Sequence, residues 1–357
     1  MKKRLLVAIS SHGFGHFSMT VPIINQLIEQ DNYEIILRTT IPEYLIQSRI
    51  PTPLNIIRET SDFGMLMNTS LDVDLTASKN AYEKLHKNLD QTIFEEKQKL
   101  QSIAPDLILS NIPYVTLAAA SELKIPCLAF CSLNWAHIIS DYFKSDTTFA
   151  EEIIPQMVDL YNKADKFVVP APSMEMPGLN NLVSVGPVCS IGTDRKVEIL
   201  NTLNLPKSSR LVLVSAGGVA TPIEIDRWPK VKDVIWVCAW SHSSGRSDII
   251  SLDDLAMPFP DLTASVDCIV TKPGYGTVSE SACLGKPAIF VKRGDWAEEP
   301  NLVSWWMENA LVKEVSRKQF FSGDFVDKLE TLLQAPGRNP QLPKGVGQVV
   351  DIINEYL

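Results

Sequence analysis

Short apolar runs, most of them containing β-branched residues, alternate along this chain with longer amphipathic stretches, and this alternation restricts the fold more than any other feature of the sequence. In the first half, such runs occupy residues 4–10, 33–39, 106–110, 126–132, 166–169 and 182–187. A second series occupies residues 211–215, 234–238, 268–271 and 288–291. Strands that alternate with helices form parallel sheets covered by helices on both faces. The sequence therefore predicts an α/β protein with two doubly wound sheets.

The length of the chain also favours two domains, since 357 residues exceed the size at which one hydrophobic core usually stops growing. We place the N-terminal domain at residues 1–190 and the C-terminal domain at residues 209–335, with a weakly patterned linker at residues 191–208. The spacing of apolar residues predicts one long helix over residues 78–103 and a further helix in the tail, residues 336–357.

Composition excludes several classes of protein. No apolar run approaches the roughly 18 residues that cross a bilayer, and the apolar stretch after Arg4 ends too early for a signal peptide. A formal net charge of -9 argues against nucleic acid as a partner, because that affinity depends on Lys and Arg neutralising phosphates. The six cysteines are scattered through the chain, mostly in apolar runs, as is typical of reduced core residues. We therefore expect a cytoplasmic protein without a transmembrane segment.

Two Gly-rich loops follow the first predicted strand of each half, where open α/β sheets bind their ligands. In residues 10–16, His16 opens a helix, and an imidazole there can take a proton from an acceptor hydroxyl. The alternative is a tight turn whose histidines satisfy backbone groups. In the second loop, Ser215, Gly217 and Gly218 can offer backbone N–H groups to a diphosphate, although they also suit an ordinary turn.

A third loop is the most informative, because a strand delivers Gly274 and Gly276 to the start of a helix. Unpaired N–H groups and the helix dipole make such a turn a site for phosphate. Glu280, one turn inside the helix, can accept hydrogen bonds from both hydroxyls of a ribose. Equally, Thr277 and Glu280 have the spacing of a capping box, in which the two side chains only close the helix N-terminus.

One further segment follows the strand at residues 288–291. Glu298 and Asn301 carry the carboxylate and amide groups that typically bind sugar hydroxyls. An acidic loop that caps the next helix explains the same residues.

Taken in order along the chain, these loops resemble those of the GT-B glycosyltransferase superfamily. The motifs that carry the resemblance lie at residues 12–16, 132–135, 271–280, 290–293 and 298–300. They are similar to the group that contains the GlcNAc transferase of peptidoglycan precursor synthesis and the diacylglycerol glycosyltransferases. They look still more similar to the glycosyltransferase-like N-terminal half of L-arabinokinase. The resemblance implies two Rossmann-like domains that face a cleft, with the C-terminal helix crossing back onto the N-terminal domain.

The resemblance also implies a role for each candidate residue. His16 would be the base, and Glu280 would bind the ribose of the nucleotide. Glu298 and Asn301 would contact the donor sugar. The diphosphate would lie between two sets of groups, namely Ser215, Gly217 and Gly218 on one side and Gly274, Gly276 and Thr277 on the other.

One position departs from the superfamily pattern. Relatives with a histidine base often orient it with an Asp just after the fourth strand, whereas this chain has Asn111 there. An amide can orient His16, but it cannot stabilise the imidazolium that forms when His16 takes a proton. A non-catalytic sugar-nucleotide-binding protein and a sugar-nucleotide epimerase of the same fold therefore stay open as alternatives.

The leading expectation is a hexosyltransferase that uses a nucleoside diphosphate sugar, with UDP as the nucleotide, and no metal or other cofactor. Asp72 and Asp74 match the Asp-x-Asp that binds a metal in the other main glycosyltransferase fold, but we expect them in a polar loop. The hydroxyl acceptor, lipid-linked or a small aglycone, is expected near residues 63–67 and 134–143, whose apolar side chains equally suit the core. Peripheral contact with a membrane is left open.

Overall fold

The computed structural model describes residues 2–10, 12–217, 221 and 223–356, which form two α/β domains. The N-terminal domain contains β1 (Lys3–Ile9), α1 (Gly15–Gln30), β2 (Tyr33–Arg38), α2 (Glu43–Arg49), β3 (Asn55–Ile57), β4 (Met67–Thr69), β5 (Asp72–Val73), α3 (Leu75–Lys87), α4 (Leu89–Ile103), β6 (Leu107–Asn111), α5 (Tyr114–Leu123), β7 (Cys127–Phe130), α6 (Trp135–Tyr142), α7 (Thr147–Tyr161), β8 (Lys166–Pro170) and β9 (Leu182–Val185).

The second half of the chain continues with α8 (Lys196–Thr202), β10 (Arg210–Ser215), a 3-10 turn (Ile225–Arg227), β11 (Val234–Cys238), β12 (Ile249–Ser251), a second 3-10 turn (Leu252–Asp254), α9 (Phe259–Ser265), β13 (Cys268–Thr271), α10 (Tyr275–Leu284), β14 (Ala288–Val291), α11 (Glu299–Asn309), β15 (Val312–Val315), α12 (Arg317–Ser322), α13 (Val326–Gln334) and α14 (Gly345–Asn354).

Each domain is built on one sheet whose strand pairs are all parallel. The N-terminal sheet has the order β3-β2-β1-β6-β7-β8-β9, and the C-terminal sheet has the order β12-β11-β10-β13-β14-β15. The central strands are apolar and buried on both faces, as in β1, where Leu5, Leu6 and Val7 are inaccessible to solvent. Helices cover both faces of such sheets. The predicted doubly wound α/β architecture is thus confirmed.

Several local elements differ from the sequence predictions. The helix predicted over residues 78–103 is two helices, because Asn88 leaves the helical conformation and its side chain donates to the carbonyl of Lys84. The weakly patterned segment 191–208 contains α8, whose Lys196 binds Asp267 in the C-terminal domain. The apolar spacing also did not reveal β3, β12 and β15, which are short edge strands.

The tail returns to the N-terminal domain through α14. The hydroxyl of Tyr33 donates to the carbonyl of Ile353, and the side-chain oxygen of Gln348 accepts from the backbone N–H of Gly186. The helix begins at Gly345, where an added Cβ would lie 2.0 Å from the carbonyl oxygen of Gly186. Only a residue without a side chain lets the helix approach β9 this closely.

Within the described part of the chain, no helix combines the length and apolar character required to span a bilayer. All six cysteines are buried free thiols.

Two glycines of α14 provide a matched test of this packing. We expect Gly345→Ala to destabilise the protein by about 1 to 3 kcal/mol through overpacking against Gly186. Gly347 has no heavy atom near the position of an added Cβ. Gly347→Ala should therefore be neutral or stabilise by about 0.5 to 1 kcal/mol through helix propensity. Chemical denaturation of both variants checks the contrast, and equal effects would show that α14 is not held at Gly186.

Candidate active site

The carboxyl ends of both sheets border one cavity of about 360 Å³. In the N-terminal sheet the strand order reverses between β1 and β6, and in the C-terminal sheet it reverses between β10 and β13. Open α/β sheets bind ligands at such reversal points. The loops after β1 and β7 line the cavity from one domain, and the loops after β10, β11, β13 and β14 line it from the other.

His16 lies in the first turn of α1 and is 5% exposed. The chain reaches this helix through Gly13, whose φ of 67° favours glycine. The imidazole Nδ1 is 2.9 Å from the side-chain oxygen of Asn111, the last residue of β6. Parallel pairing of β1 with β6 places Asn111 opposite Ile9, at the same edge as the loop that leads to His16. The structure thus brings together the two residues predicted at the catalytic position.

The orientation of the Asn111 amide is set by its other contacts. Its Nδ2 donates to the hydroxyl of Thr20, at 2.9 Å, and to the carbonyl of His16, at 3.3 Å. The Thr20 hydroxyl in turn donates to the same carbonyl at 2.8 Å. The amide oxygen must therefore face His16 and accept its Nδ1–H. This tautomer leaves the lone pair of Nε2 available as a proton acceptor.

Burial also determines the charge of His16. Desolvation lowers the pKa of its imidazole to about 4, against the smaller opposing effect of the hydrogen bond with Asn111. The imidazole is therefore neutral at pH 7, the state that a general base requires.

His12 precedes His16 in the same loop and reaches the opposite domain. Its ring stacks on Trp296 with centroids 5.6 Å apart and an interplanar angle of 4°. Its Nε2 is buried and has no hydrogen-bond partner among the described residues. The ring lines the cavity, so a bound ligand can satisfy this nitrogen. Sequence reasoning included His12 in a motif but gave it no role.

The turn after β13 delivers a helix N-terminus to the cavity. Gly274 is the N-cap of α10, which begins at Tyr275 and has no side-chain cap. Thr277 is therefore the third helical residue rather than the N-cap. The capping-box interpretation of Thr277 and Glu280 is wrong for this reason. Gly274, Gly276 and Thr277 all line the cavity, and their role in binding phosphate stays a prediction.

The loop after β10 approaches this turn from the neighbouring strand. Ser215 and Gly217 line the cavity, and Gly217 has a φ of 86°. An added Cβ at Gly217 would lie 3.4 Å from Nζ of Lys272. Lys272 thus lies between the two glycine turns. Gly218, the remaining residue predicted to bind phosphate, falls outside the described residues.

The Lys272 ammonium lines the cavity, and no hydrogen bond or ion pair joins it to another of the described residues. Burial lowers the pKa of its ammonium well below the ordinary value, and the charge of Arg293 lowers it further. A bound anion would offset both effects. The sequence did not single out this lysine, because its function depends on the loops that surround it.

Glu280 is buried on α10 and lines the cavity. Desolvation raises the pKa of its carboxyl group to about 7, while the charge of Arg49 lowers it. Arg49 ends α2 in the N-terminal domain and donates to the hydroxyl of Ser18. In the parts of the chain that the structure describes, no group forms a hydrogen bond with the Glu280 carboxylate. Its oxygens are thus available to a ligand.

Glu298 closes the cleft between the domains. It accepts hydrogen bonds from the hydroxyl of Ser132, at 2.6 Å, and from the indole of Trp296, at 3.3 Å. Burial raises the pKa of its carboxyl group, and these two hydrogen bonds lower it. Glu298 lines the cavity as predicted, but each oxygen already has a partner.

Asn301 does not line the cavity. It lies in the first turn of α11, which begins at Glu299, and is half-buried there. The spacing of Asn301 from Glu298 suggested that both side chains contact the sugar. Glu298, the N-cap of α11, lines the cavity, whereas Asn301 lies in the first turn of that helix and does not. The neighbouring Glu299 instead accepts the backbone N–H of Arg293 and holds the loop before the helix.

The two segments predicted to meet the acceptor belong mainly to the core. Met65, Trp135 and Ala136 are buried within the N-terminal domain. Met67 does line the cavity, together with apolar side chains that the sequence did not indicate, including Phe14, Tyr44 and Leu45. Core packing therefore explains most of residues 63–67 and 134–143.

Both aspartates of the Asp-x-Asp motif have structural partners, and Asp72 lies on a short strand rather than in a loop. Asp72, in β5, forms an ion pair with Arg317 at 2.7 Å. Asp74 is the N-cap of α3 and accepts the backbone N–H of Ala77. Across residues 2–10, 12–217, 221 and 223–356, no group of three or more His, Cys, Asp or Glu has an arrangement that suits a metal ion.

Comparison with protein-family models gives no match. In sequence, the chain is 26% identical over 329 residues to L-arabinokinase of Arabidopsis thaliana. This similarity covers 90% of the chain but 31% of the relative, so the chain spans about a third of the length of the protein it matches.

Solved structures extend the comparison over the whole chain. The calicheamicin glycosyltransferase CalG4 has a TM-score of 0.66 and 15% identity, with 100% of this chain and 98% of that chain covered. Arabidopsis thaliana UGT89C1, solved with UDP, has a TM-score of 0.60 and 13% identity, with 99% and 100% covered. A putative UDP-N-acetylglucosamine 2-epimerase from Listeria monocytogenes has a TM-score of 0.58 and 13% identity, with 100% and 97% covered.

All of these structures share two parallel α/β domains with this chain over nearly its full length. At such low identity the likeness establishes the fold. The chain has the GT-B fold of the glycosyltransferases.

Proposed function

We propose that this chain is a metal-independent glycosyltransferase that moves a hexosyl group from a UDP-sugar to a hydroxyl acceptor. The observation that supports this most is the composition of the cavity. The neutral imidazole of His16 lines it from the N-terminal domain, and the N-terminus of α10 with Glu280 lines it from the C-terminal domain. Each domain thus supplies one half of what sugar transfer requires.

The chemical step follows from the orientation of His16. Its Nε2 takes the proton of the acceptor hydroxyl while the acceptor oxygen forms a bond to the anomeric carbon. The bond between that carbon and the diphosphate oxygen breaks, and its electron pair leaves with UDP. The imidazolium then releases its proton to solvent. Asn111 holds the ring in place throughout by accepting the Nδ1–H.

Charge on the departing diphosphate is stabilised by two groups in this proposal. The unpaired N–H groups at the start of α10 provide the positive end of the helix dipole. Lys272 lies between the two glycine turns, where the bound diphosphate stabilises the charged form of its ammonium against the effect of burial. Preorganised charge of this kind stabilises a leaving group without rearrangement during the reaction.

The ribose is assigned to Glu280, whose carboxylate accepts hydrogen bonds from both ribose hydroxyls. The presence of UDP in a structure of the same fold, UGT89C1, supports UDP as the nucleotide. The acceptor is assigned to the apolar side of the cavity near Phe14 and Met67. Such a surface suits a lipid-linked or aromatic alcohol.

The neutral side chain of Asn111 favours a second candidate, a non-catalytic protein that binds UDP-sugars. A carboxylate in this position would stabilise the imidazolium, and an amide does not. A sugar-nucleotide epimerase is a third candidate, since one such enzyme shares the fold. Chromatography of the sugar nucleotide after incubation separates these cases, because they yield UDP, no change or an epimerised sugar.

Glu280 makes the nucleotide affinity depend on pH. Since burial raises its pKa to about 7, the carboxylate that accepts the ribose hydroxyls is fully available only at higher pH. We expect the affinity for UDP-glucose, whose diphosphate does not titrate near neutrality, to rise between pH 6 and pH 8. Glu280→Gln should weaken binding at pH 8 by roughly ten- to a hundredfold and remove the pH dependence. Calorimetry at the two pH values checks this, and equal affinity of variant and parent at pH 8 would refute the ribose role.

Asn111 should limit turnover, because an amide does not stabilise the imidazolium that forms when His16 takes a proton. We expect slow release of UDP by the parent, slower release by His16→Ala and faster release by Asn111→Asp. In the pH profile of the turnover rate, the parent should lose activity at low pH around pH 4, because His16 is protonated as pH falls through its pKa. In Asn111→Asp, the new carboxylate favours the imidazolium and should move this loss of activity to higher pH.

The measurement is steady-state release of UDP from several UDP-sugars in the presence of EDTA, with binding of UDP as the control for folding. Asn111→Asp places an oxygen against the carbonyl of His16, so some loss of thermal stability is expected. If the folded variant binds UDP but turns over no faster than the parent, a lack of imidazolium stabilisation does not limit the rate.

A further inference from the structure

Arg293 is a cavity-lining cation that the proposed reaction does not use. It follows β14, and its guanidinium carbon lies 4.5 Å from the centroid of the Trp296 ring. Its Nε and Nη1 are shielded from solvent and have no hydrogen-bond partner among the described residues. A charged group in this state is costly unless an anion compensates it.

Asp295, Glu298 and Glu299 are the carboxylates nearest to Arg293 in sequence, and two of them are engaged by other groups. Glu298 accepts from Ser132 and Trp296, and Glu299 accepts from the backbone N–H groups of Arg293 and Gly294. Among the described residues, none of the three carboxylates forms an ion pair with the Arg293 guanidinium. Their charges raise the pKa of the guanidinium, whereas burial lowers it. The hydrogen-bonding capacity of the guanidinium is thus left for a ligand.

The position of Arg293 along the sheet indicates which part of a donor it would meet. Trp240 and Asp253, after β11 and β12, line the cavity on one side of the α10 turn. Arg293, after β14, lies on the other side, one strand beyond Lys272. A nucleotide whose diphosphate occupies the α10 turn and whose base extends towards β11 leaves the Arg293 side for the sugar.

We propose that Arg293 selects a donor whose sugar carries a carboxylate, a UDP-hexuronate. The inference rests on the proposed function and names the class of its substrate. A planar guanidinium matches a carboxylate geometrically and pairs with it more strongly than with a neutral hydroxyl. Glu298 already accepts one hydrogen bond on each oxygen, which leaves it less capacity than a free carboxylate to accept from sugar hydroxyls. His12, with its unpartnered Nε2, borders the same part of the cavity.

The test compares UDP, UDP-glucose and UDP-glucuronate by calorimetry on the full chain. We expect the parent to bind UDP-glucuronate roughly ten- to a hundredfold more tightly than UDP-glucose. Arg293→Gln should abolish that preference and change the affinity for UDP by less than about threefold, since a lost charge-assisted bond accounts for the larger factor. Lys292→Gln is the matched control, because it removes a charge from the same loop at a residue that pairs with Glu314 and does not line the cavity.

Three outcomes would overturn the inference. A parent that binds UDP-glucose as tightly as UDP-glucuronate has no carboxylate site. An Arg293→Gln variant that loses affinity equally for all three ligands places Arg293 on the diphosphate. If the parent binds none of the three ligands, the proposed function is refuted together with this inference. If it binds UDP but shows no preference for the hexuronate, only this inference is refuted.

Discussion

The hydrogen bond between His16 and Asn111 is the interaction on which this site depends. It exists because β1 and β6 pair in parallel and end together, so that the loop after one strand lies over the last residue of the other. Thr20, one turn further along α1, fixes the amide, and the amide fixes the tautomer of the imidazole. Burial then keeps the ring neutral. The imidazole of His16 is thus an oriented proton acceptor because of three features: the register of β1 with β6, its place at the start of α1 and its burial.

The second requirement is that the two domains meet at this point. Glu298 joins the domains through Ser132, and His12 stacks on Trp296 across the cleft. Behind the cavity, the hydroxyl of Tyr275 donates to the carbonyl of Ala171 and ties α10 to the N-terminal domain. Because these contacts surround the cavity, they set the distance between the base and the α10 turn. A nucleotide and an acceptor can be held in one water-poor space only while this geometry persists.

Much of this fold follows from the sequence, because central parallel strands such as β1 are continuous apolar runs and strand-turn-helix junctions carry glycines. The same glycine-containing junctions drew attention to His16, Glu280 and the α10 turn. The roles proposed for them stay predictions until tested. At Asn88, a local hydrogen bond to the carbonyl of Lys84 interrupts the helix, and the spacing of apolar residues does not reveal this. Lys272 and Arg293 become informative only when burial and the lack of partners among the described residues are known. Asn301 shows the converse limit, since its spacing from Glu298 did not reveal that it lies outside the cavity lining.

The proposed reaction requires a buried, neutral His16 that presents its Nε2 lone pair to the cavity while Asn111 accepts its Nδ1–H. Nitrogen-15 NMR of histidine-labelled protein, with His16→Ala to assign the signals, measures both tautomer and titration directly. We expect a protonated Nδ1, an unprotonated Nε2 and no change in either signal between pH 5.5 and pH 8, because the pKa of His16 lies at about 4. A proton on Nε2, or titration near the ordinary histidine value of about 6.5, would contradict it.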